Sequence, residues 1–242
     1  VGIAIVKGDF REAVCEYAGH PIGNEEENVR RAREMVDAGL PPAQIISLLP
    51  EVMTFEKTIL QHLIEREDDY AGALRQLPRN LLMMFVHALQ GRMFNEMLSL
   101  RMIAELPLNR PLEGDIVLRA AQDGLPDRDM MIHVSSDNVG NVTDEMSKGH
   151  CFVSALLFGH RSIFASGFQG EIERRVVADF GLSEENFIVP AIPECTSSGA
   201  RREVLSPLKN MDVSIDGSDA TVTFDLTRGS YATSLLREIM KE

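Results

Sequence analysis

Three cysteines in 242 residues, Cys15, Cys151 and Cys195, are too few and too widely spaced in sequence to form a disulfide framework. Such sparse cysteine predicts a reduced, cytoplasmic compartment. No apolar run approaches the ~20 residues that a membrane-spanning helix needs. The opening VGIAIVKGDF has no basic leader followed by a long apolar stretch and a small-residue cleavage site, so it does not read as a signal peptide. Basic residues are also in short supply. Lys and Arg number 24 against 37 Asp and Glu, a formal net charge of −13, which argues against a passive nucleic-acid coat but leaves room for a local basic groove. The chemical signatures CxxC, HExxH, EF-hand loop, GxGxxG, GKS/GKT and GxSxG are all missing, which removes the usual zinc, calcium, dinucleotide, P-loop and serine-hydrolase readings. His133, His150, Cys151 and His160 match no common zinc spacing and read as structural residues. Neither metal nor cofactor is expected.

What the chain does have is an ordinary globular composition, 44% hydrophobic and 25% charged, on a length suited to about one and a half domains. Ile3 to Val6 is apolar and β-branched and predicts a short extended segment. Asp9 with Glu12 three residues on reads as a helix cap, and Gly19 with Pro21 as that helix's stop. A helix follows over 24–38 with Glu25, Glu26 and Glu27 in its first turn, ending at Gly39. Pro41 and Pro42 open another, and Thr54 is expected to cap a third through Leu63. The charged tail Glu65 to Asp69 reads as a solvated face.

The strongest pattern runs from Arg79 to Ala104. Leu82, Val86, Leu89, Met93, Met97 and Leu100 recur at three to four residues, and Leu81, Phe85, Phe94 and Leu98 widen the stripe, so this helix is expected to be covered on two sides. After Pro107 short strands are predicted at Ile116 to Leu118, Met130 to Val134 and Cys151 to Phe158, with a helix over Glu171 to Phe180. Ser197-Ser198-Gly199 reads as a turn. A hairpin is expected with Val213 and Ile215 before a turn at Asp216 to Asp219 and Val222, Phe224 and Leu226 alternating with polar residues after it, and a terminal helix over Ser230 to Met240. Helices first and mixed strands later predict an α/β (α+β) protein.

Charge distribution adds one candidate site. Residues 72–110 hold Arg75, Arg79, Arg92, Arg101 and Arg110 against Glu96 and Glu105, five minus two, an island of +3. Every base in it is arginine, which suits bidentate phosphate contact. The competing reading is a helix paired to the acidic helices before it. Arg201-Arg202 is a second basic spot.

Three segments resemble the TruD group of tRNA pseudouridine synthases. LPRNLLMMFVHALQGRMFNEMLSLRM at 77–102 is similar to that family's HAYQS-x-x-FN-x-x-L/I-S-x-R signature, departing at Leu89 and Gly91, where the family has Tyr and Ser. GSYATSLLRE at 229–238 is close to the terminal GS-Y/F-AT-x-x-x-RE. VGIAIVKGDFREAV looks like the stretch that follows the family's Asn-Tyr-Phe-Gly motif. GFQGEIE at 167–173 and GARREV at 199–204 fall between them in the expected order.

The resemblance implies an enzyme that isomerises a uridine of tRNA, position 13 in the family, to pseudouridine by aspartate attack. It also implies that the aspartate lies upstream of everything present here, so that this chain is the carboxy-terminal portion, inactive alone and partnered by the missing amino-terminal half. Asp9 is a cap and not that nucleophile. Arg237 corresponds to the basic residue that partners the aspartate, with Tyr231 beside it, and Arg79, Arg92, Asn95, Arg101, Arg201 and Arg202 are the implied RNA contacts. The implied fold is a pseudouridine synthase catalytic domain, residues 1–20 and 201–242, split by an inserted mixed α/β domain over 21–200. The alternative on the same scaffold is a non-catalytic RNA-binding or protein-interaction module. Oligomeric state is not implied.

Overall fold

A computed structural model describes residues 1–226 and 230–241. Chain contacts divide it into two compact units, one of Val1–Glu96, Leu157–Ile163 and Arg175–Ala200, the other of Met97–Leu156, Phe164–Arg174 and Arg201–Glu242.

The first unit is helical. It opens with α1 (Gly2–Val6), where an extended segment was expected. Placing β-branched Ile3, Ile5 and Val6 in a helix costs up to ~0.7 kcal/mol each. Burying Ile5, at 0% exposure, and Val6, at 4%, is worth about 1.5–3 kcal/mol apiece, so tertiary burial overrides the local preference. Gly8, at φ 76°, then turns the chain into α2 (Phe10–Ala18). There Asp9 caps as expected, its side chain accepting from the Glu12 N–H at 3.0 Å. α3 (Glu27–Asp37) starts later than the acidic run suggests, because Glu25 is drawn away to the Ile22 N–H and to Arg33. Arg33 is buried and donates to the Ala18 and Gly19 carbonyls, both at 3.1 Å, satisfying the open end of α2.

α4 (Pro42–Ile45) carries proline in its first turn, as expected. α5 (Thr54–Glu65) begins on Thr54 instead of being capped by it; Met53 holds the cap position with no side-chain bond. In the charged tail Asp69 is not merely solvated. It accepts from His62 and from the Gly72 N–H, both at 2.9 Å, and so starts α6 (Tyr70–Leu74). α2 packs on α3, α5 and α6 around Ala18, Ala32, Val36, Ile45 and Leu60. α7 (Arg79–Ile103) is the long expected helix, and it buries Leu82, Val86, Leu89 and Met93 in this unit.

The second unit holds the end of α7 from Met97 and a four-stranded sheet in the order β2-β1-β3-β4. β1 (Ile116–Ala120) lies antiparallel to β2 (Pro126–His133), with a shift of register between Leu118 and Arg119. α8 (Val139–Ser147) follows, then β3 (Cys151–Leu157), antiparallel to β1. Val117, Val134, Val142 and Cys151 form the core there. α9 (Gly167–Asp179) starts four residues before the predicted Glu171. Gly167, at φ 53°, lies against the Glu113 carbonyl, an approach that leaves no room for a side chain.

β4 (Ala200–Glu203) completes the sheet. β5 (Leu208–Asp216) and β6 (Asp219–Leu226) form the expected hairpin. Val213 faces Val222 and Leu208 faces Leu226, giving an apolar side, while Asp212 faces Thr223 and Asp216 faces Asp219 on the polar side. α10 (Ala232–Met240) ends the described chain. The Gly229 that opens the GSYAT segment lies outside the described residues. No described helix is long and apolar enough to cross a membrane.

Candidate functional site

α7 presents three of the expected contact residues at the surface of the first unit. Arg79, Arg92 and Asn95 are exposed. Neither arginine makes an ion pair among the described residues, and the Arg92 guanidinium lies over the Phe180 ring, 5.5 Å from its centroid. Gln90, in the same motif, points inward instead. It is buried and donates to the Phe158 carbonyl at 2.7 Å and the Ser197 hydroxyl at 2.9 Å, which pins the Ser197 turn. Gly91 meets nothing within 4 Å, so a side chain would fit there. Gly91→Ala is expected to raise stability by about 0.5–1 kcal/mol, read from urea unfolding. A loss would mean that the helix needs glycine at that turn.

Two of the expected RNA contacts are corrected. Arg101 is 1% exposed; it donates to both Asp115 oxygens at 2.7 and 2.9 Å, to Gln169 Oε1 at 2.9 Å and to the Pro107 carbonyl at 2.8 Å. Arg201, at 2%, donates to Glu173 at 2.6 Å and to the Ser154 hydroxyl and carbonyl at 2.9 and 3.0 Å. Gln169 Nε2 donates to Glu173 at 3.1 Å, so the two pairs form one buried network in the second unit. Two guanidinium cations meet two carboxylates, and no donor face is left for phosphate. In a dry interior such charges persist only when paired and hydrogen-bonded. Arg202, next along β4, is half-buried.

Sequence reasoning missed Asp115, Glu173 and Ser154. The signal was present for Glu173, since GFQGEIE carries a charged residue in register with Gln169 at i and i+4.

Tyr231 is 70% exposed and Arg237 is exposed on α10. The apolar stripe of this helix is also open, with Leu236 at 37%, Ile239 at 44% and Met240 at 57%. No side chain of α10 is fully buried, and Leu235 alone on it is half-buried.

No three His, Cys, Asp or Glu side chains gather as a metal-binding group among the described residues. His150 bonds Glu145 and His160 donates to the Ser197 carbonyl, each at 2.9 Å. Nor is there an activated thiol: burial pushes Cys195 up to about 11, and Cys15 and Cys151 are raised for the same main reason.

A helical unit, a mostly antiparallel sheet unit, and arginines divided between surface and buried pairs define a mixed α/β protein whose motifs serve its architecture as well as its surface. The family model of tRNA pseudouridine synthase D (TruD) matches residues 1–239. The chain belongs to the TruD family. Relatives named "Probable tRNA pseudouridine synthase D" include those of Methanosarcina mazei, 39% identical over all of this chain and 56% of that protein, and Halobacterium salinarum, 34% identical over all of this chain and 55% of that one. The relative from Methanopyrus kandleri is 31% identical, covering 99% of this chain and 53% of that protein. A crystal structure bearing the TruD name, from Methanosarcina mazei, superposes with a TM-score of 0.91 at 38% identity, covering 100% of this chain and 56% of that one. The chain thus spans a little over half the length of the relatives it matches.

Proposed function

We propose that the chain is part of a tRNA pseudouridine synthase that isomerises a uridine, position 13 by family resemblance, to pseudouridine. The observation that carries this reading is the family match over residues 1–239 with relatives that share the name. The chemistry needs an ionised aspartate to attack the nucleoside, cleavage of the bond to nitrogen, and reattachment of the base through carbon. It also needs the target nucleotide taken out of its stack.

In this reading Arg237 favours the charged form of that aspartate, with Tyr231 lining the same cleft. Exposed Arg79 and Arg92, with Asn95, hold tRNA phosphates, and Arg202 is a further candidate. No metal or cofactor takes part. None of the 242 residues resembles the family's aspartate motif, so the nucleophile must come from another segment, which we place upstream. That segment would also cover the apolar side of the β5–β6 hairpin and the open stripe of α10, surfaces that otherwise face water. Residues 1–20 and 201–242 would belong to the catalytic domain and 21–200 to the insertion. The pairing of β4 and the burial of Arg201 favour ending the insertion a few residues later, near Val204.

Tritium release from tRNA labelled at uridine C5 is expected from the enzyme that includes the aspartate segment, and none from these 242 residues alone. Release by the short chain would overturn the assignment of the nucleophile, and none from the longer enzyme would overturn the function. In the longer enzyme Arg79→Ala and Arg92→Ala should each reduce the salt slope of tRNA affinity by about one. Unchanged slopes would make the α7 surface a bystander.

A further inference from the structure

We propose that the helical unit carries a docking groove for a basic segment of a protein partner, one that inserts an apolar side chain flanked by lysine or arginine. The groove is a recess of about 440 Å³ between α2, α4 and α5. Its floor is apolar, made of Val14, Val36, Ile45, Leu60 and Leu63, all buried. Leu40 and Ile64 stand at its lip at 41% and 40% exposure, so the apolar surface continues outward. That volume holds one large side chain with part of its backbone, at the small end of the range of ligand pockets.

The rim identifies the occupant. Glu67 and Asp68 line the groove, and a second recess of about 310 Å³, sharing Arg11, Cys15, Val36 and Gly39 with the first, adds Asp9, Glu12 and Asp37. Five carboxylates therefore face Arg11, the one cation among the described residues lining either recess. Asp9 is occupied by its helix cap and Asp37 by His20. Glu12, Glu67 and Asp68 form no ion pair among the described residues. An acidic rim repels tRNA phosphate and attracts an incoming cation, while the floor rewards an apolar anchor. The combination fits a basic and apolar peptide and opposes a nucleic acid. The groove is thus assigned separately from the arginines of α7.

Cys15 supplies a reporter. It is half-buried in both recesses, whereas Cys151 and Cys195 are 3% and 1% exposed, so a maleimide should reach Cys15 first. Heptapeptides displayed on phage would be selected against the full-length enzyme, and the winning sequence synthesised. An apolar residue next to lysine or arginine is the expected consensus, and the peptide should slow Cys15 alkylation about tenfold at saturation. Charge reversal by Glu67→Lys with Asp68→Lys should weaken binding about tenfold, equivalent to ~1.4 kcal/mol, and added salt should weaken it further. Four outcomes would overturn the proposal: an acidic or purely apolar consensus, equal binding to the charge-reversed variant, no protection of Cys15, or a Cys15 inert to maleimide in the unliganded native enzyme. The last, found also at a pH high enough to ionise the raised Cys15 thiol, would show that the enzyme's own chain, or a second copy, already fills the groove.

Discussion

Replacing Arg101 by alanine is expected to lower the unfolding free energy by about 3–5 kcal/mol, a large share of the stability of an ordinary domain. The change strands the Asp115 carboxylate, itself 2% exposed, and removes the donor to Gln169. It also leaves the Pro107 carbonyl without the guanidinium that reaches it at 2.8 and 3.0 Å. Urea unfolding followed by circular dichroism would measure the loss. Arg101→Lys should recover only part of it, because an ammonium cannot meet both Asp115 oxygens and Gln169 with the geometry of a planar fork. A loss below about 1 kcal/mol would mean that water reaches this network and that the pair is not sealed.

The second large effect falls on turnover. In the complete enzyme Arg237→Ala should reduce kcat on the order of 100-fold, the scale of an arginine that shifts a neighbouring carboxylate by one to three pKa units. tRNA affinity should change far less, since the lost interaction acts on the aspartate and its transition state. Removing the positive charge raises the aspartate's pKa, so the acid limb of the rate profile should move to higher pH. Arg237→Lys should restore part of the rate and part of that limb. Normal turnover in the alanine variant would remove Arg237 from the mechanism, whatever its position on α10.

What could be read in advance was local. The α7 stripe, the Asp9 cap, the proline start of α4 and the hairpin each follow from residues within a few positions of one another, where periodicity and turn chemistry act. α1 was misjudged because its conformation is decided by burial against partners distant in sequence. α9 starts before the expected Glu171, and its first turn brings Gly167 and Gly170 against the Glu113 and Ala165 carbonyls, neighbours that no local pattern reveals.

The arginines show the same limit in the candidate site. Arg92 and Arg101 look alike in a charge count, yet nine residues along one helix separate a solvent-facing base from a sealed one. What distinguishes them is Asp115, fourteen positions on, and Gln169, sixty-eight positions on, and no window of sequence contains both. The reverse held on α10, where the amphipathic stripe is legible in the sequence but is exposed among the described residues.

The buried network also sets an order of events at the ribosome. Glu173 emerges twenty-eight residues before Arg201, the cation that neutralises it. At about 5–20 residues per second, that is a wait of roughly 1.5–6 s during which Glu173 has only the neutral donors of Ala165 and Gln169. A sheet unit that closed before β4 was made would bury that carboxylate without its cation, so closure is favoured only once Arg201 has arrived.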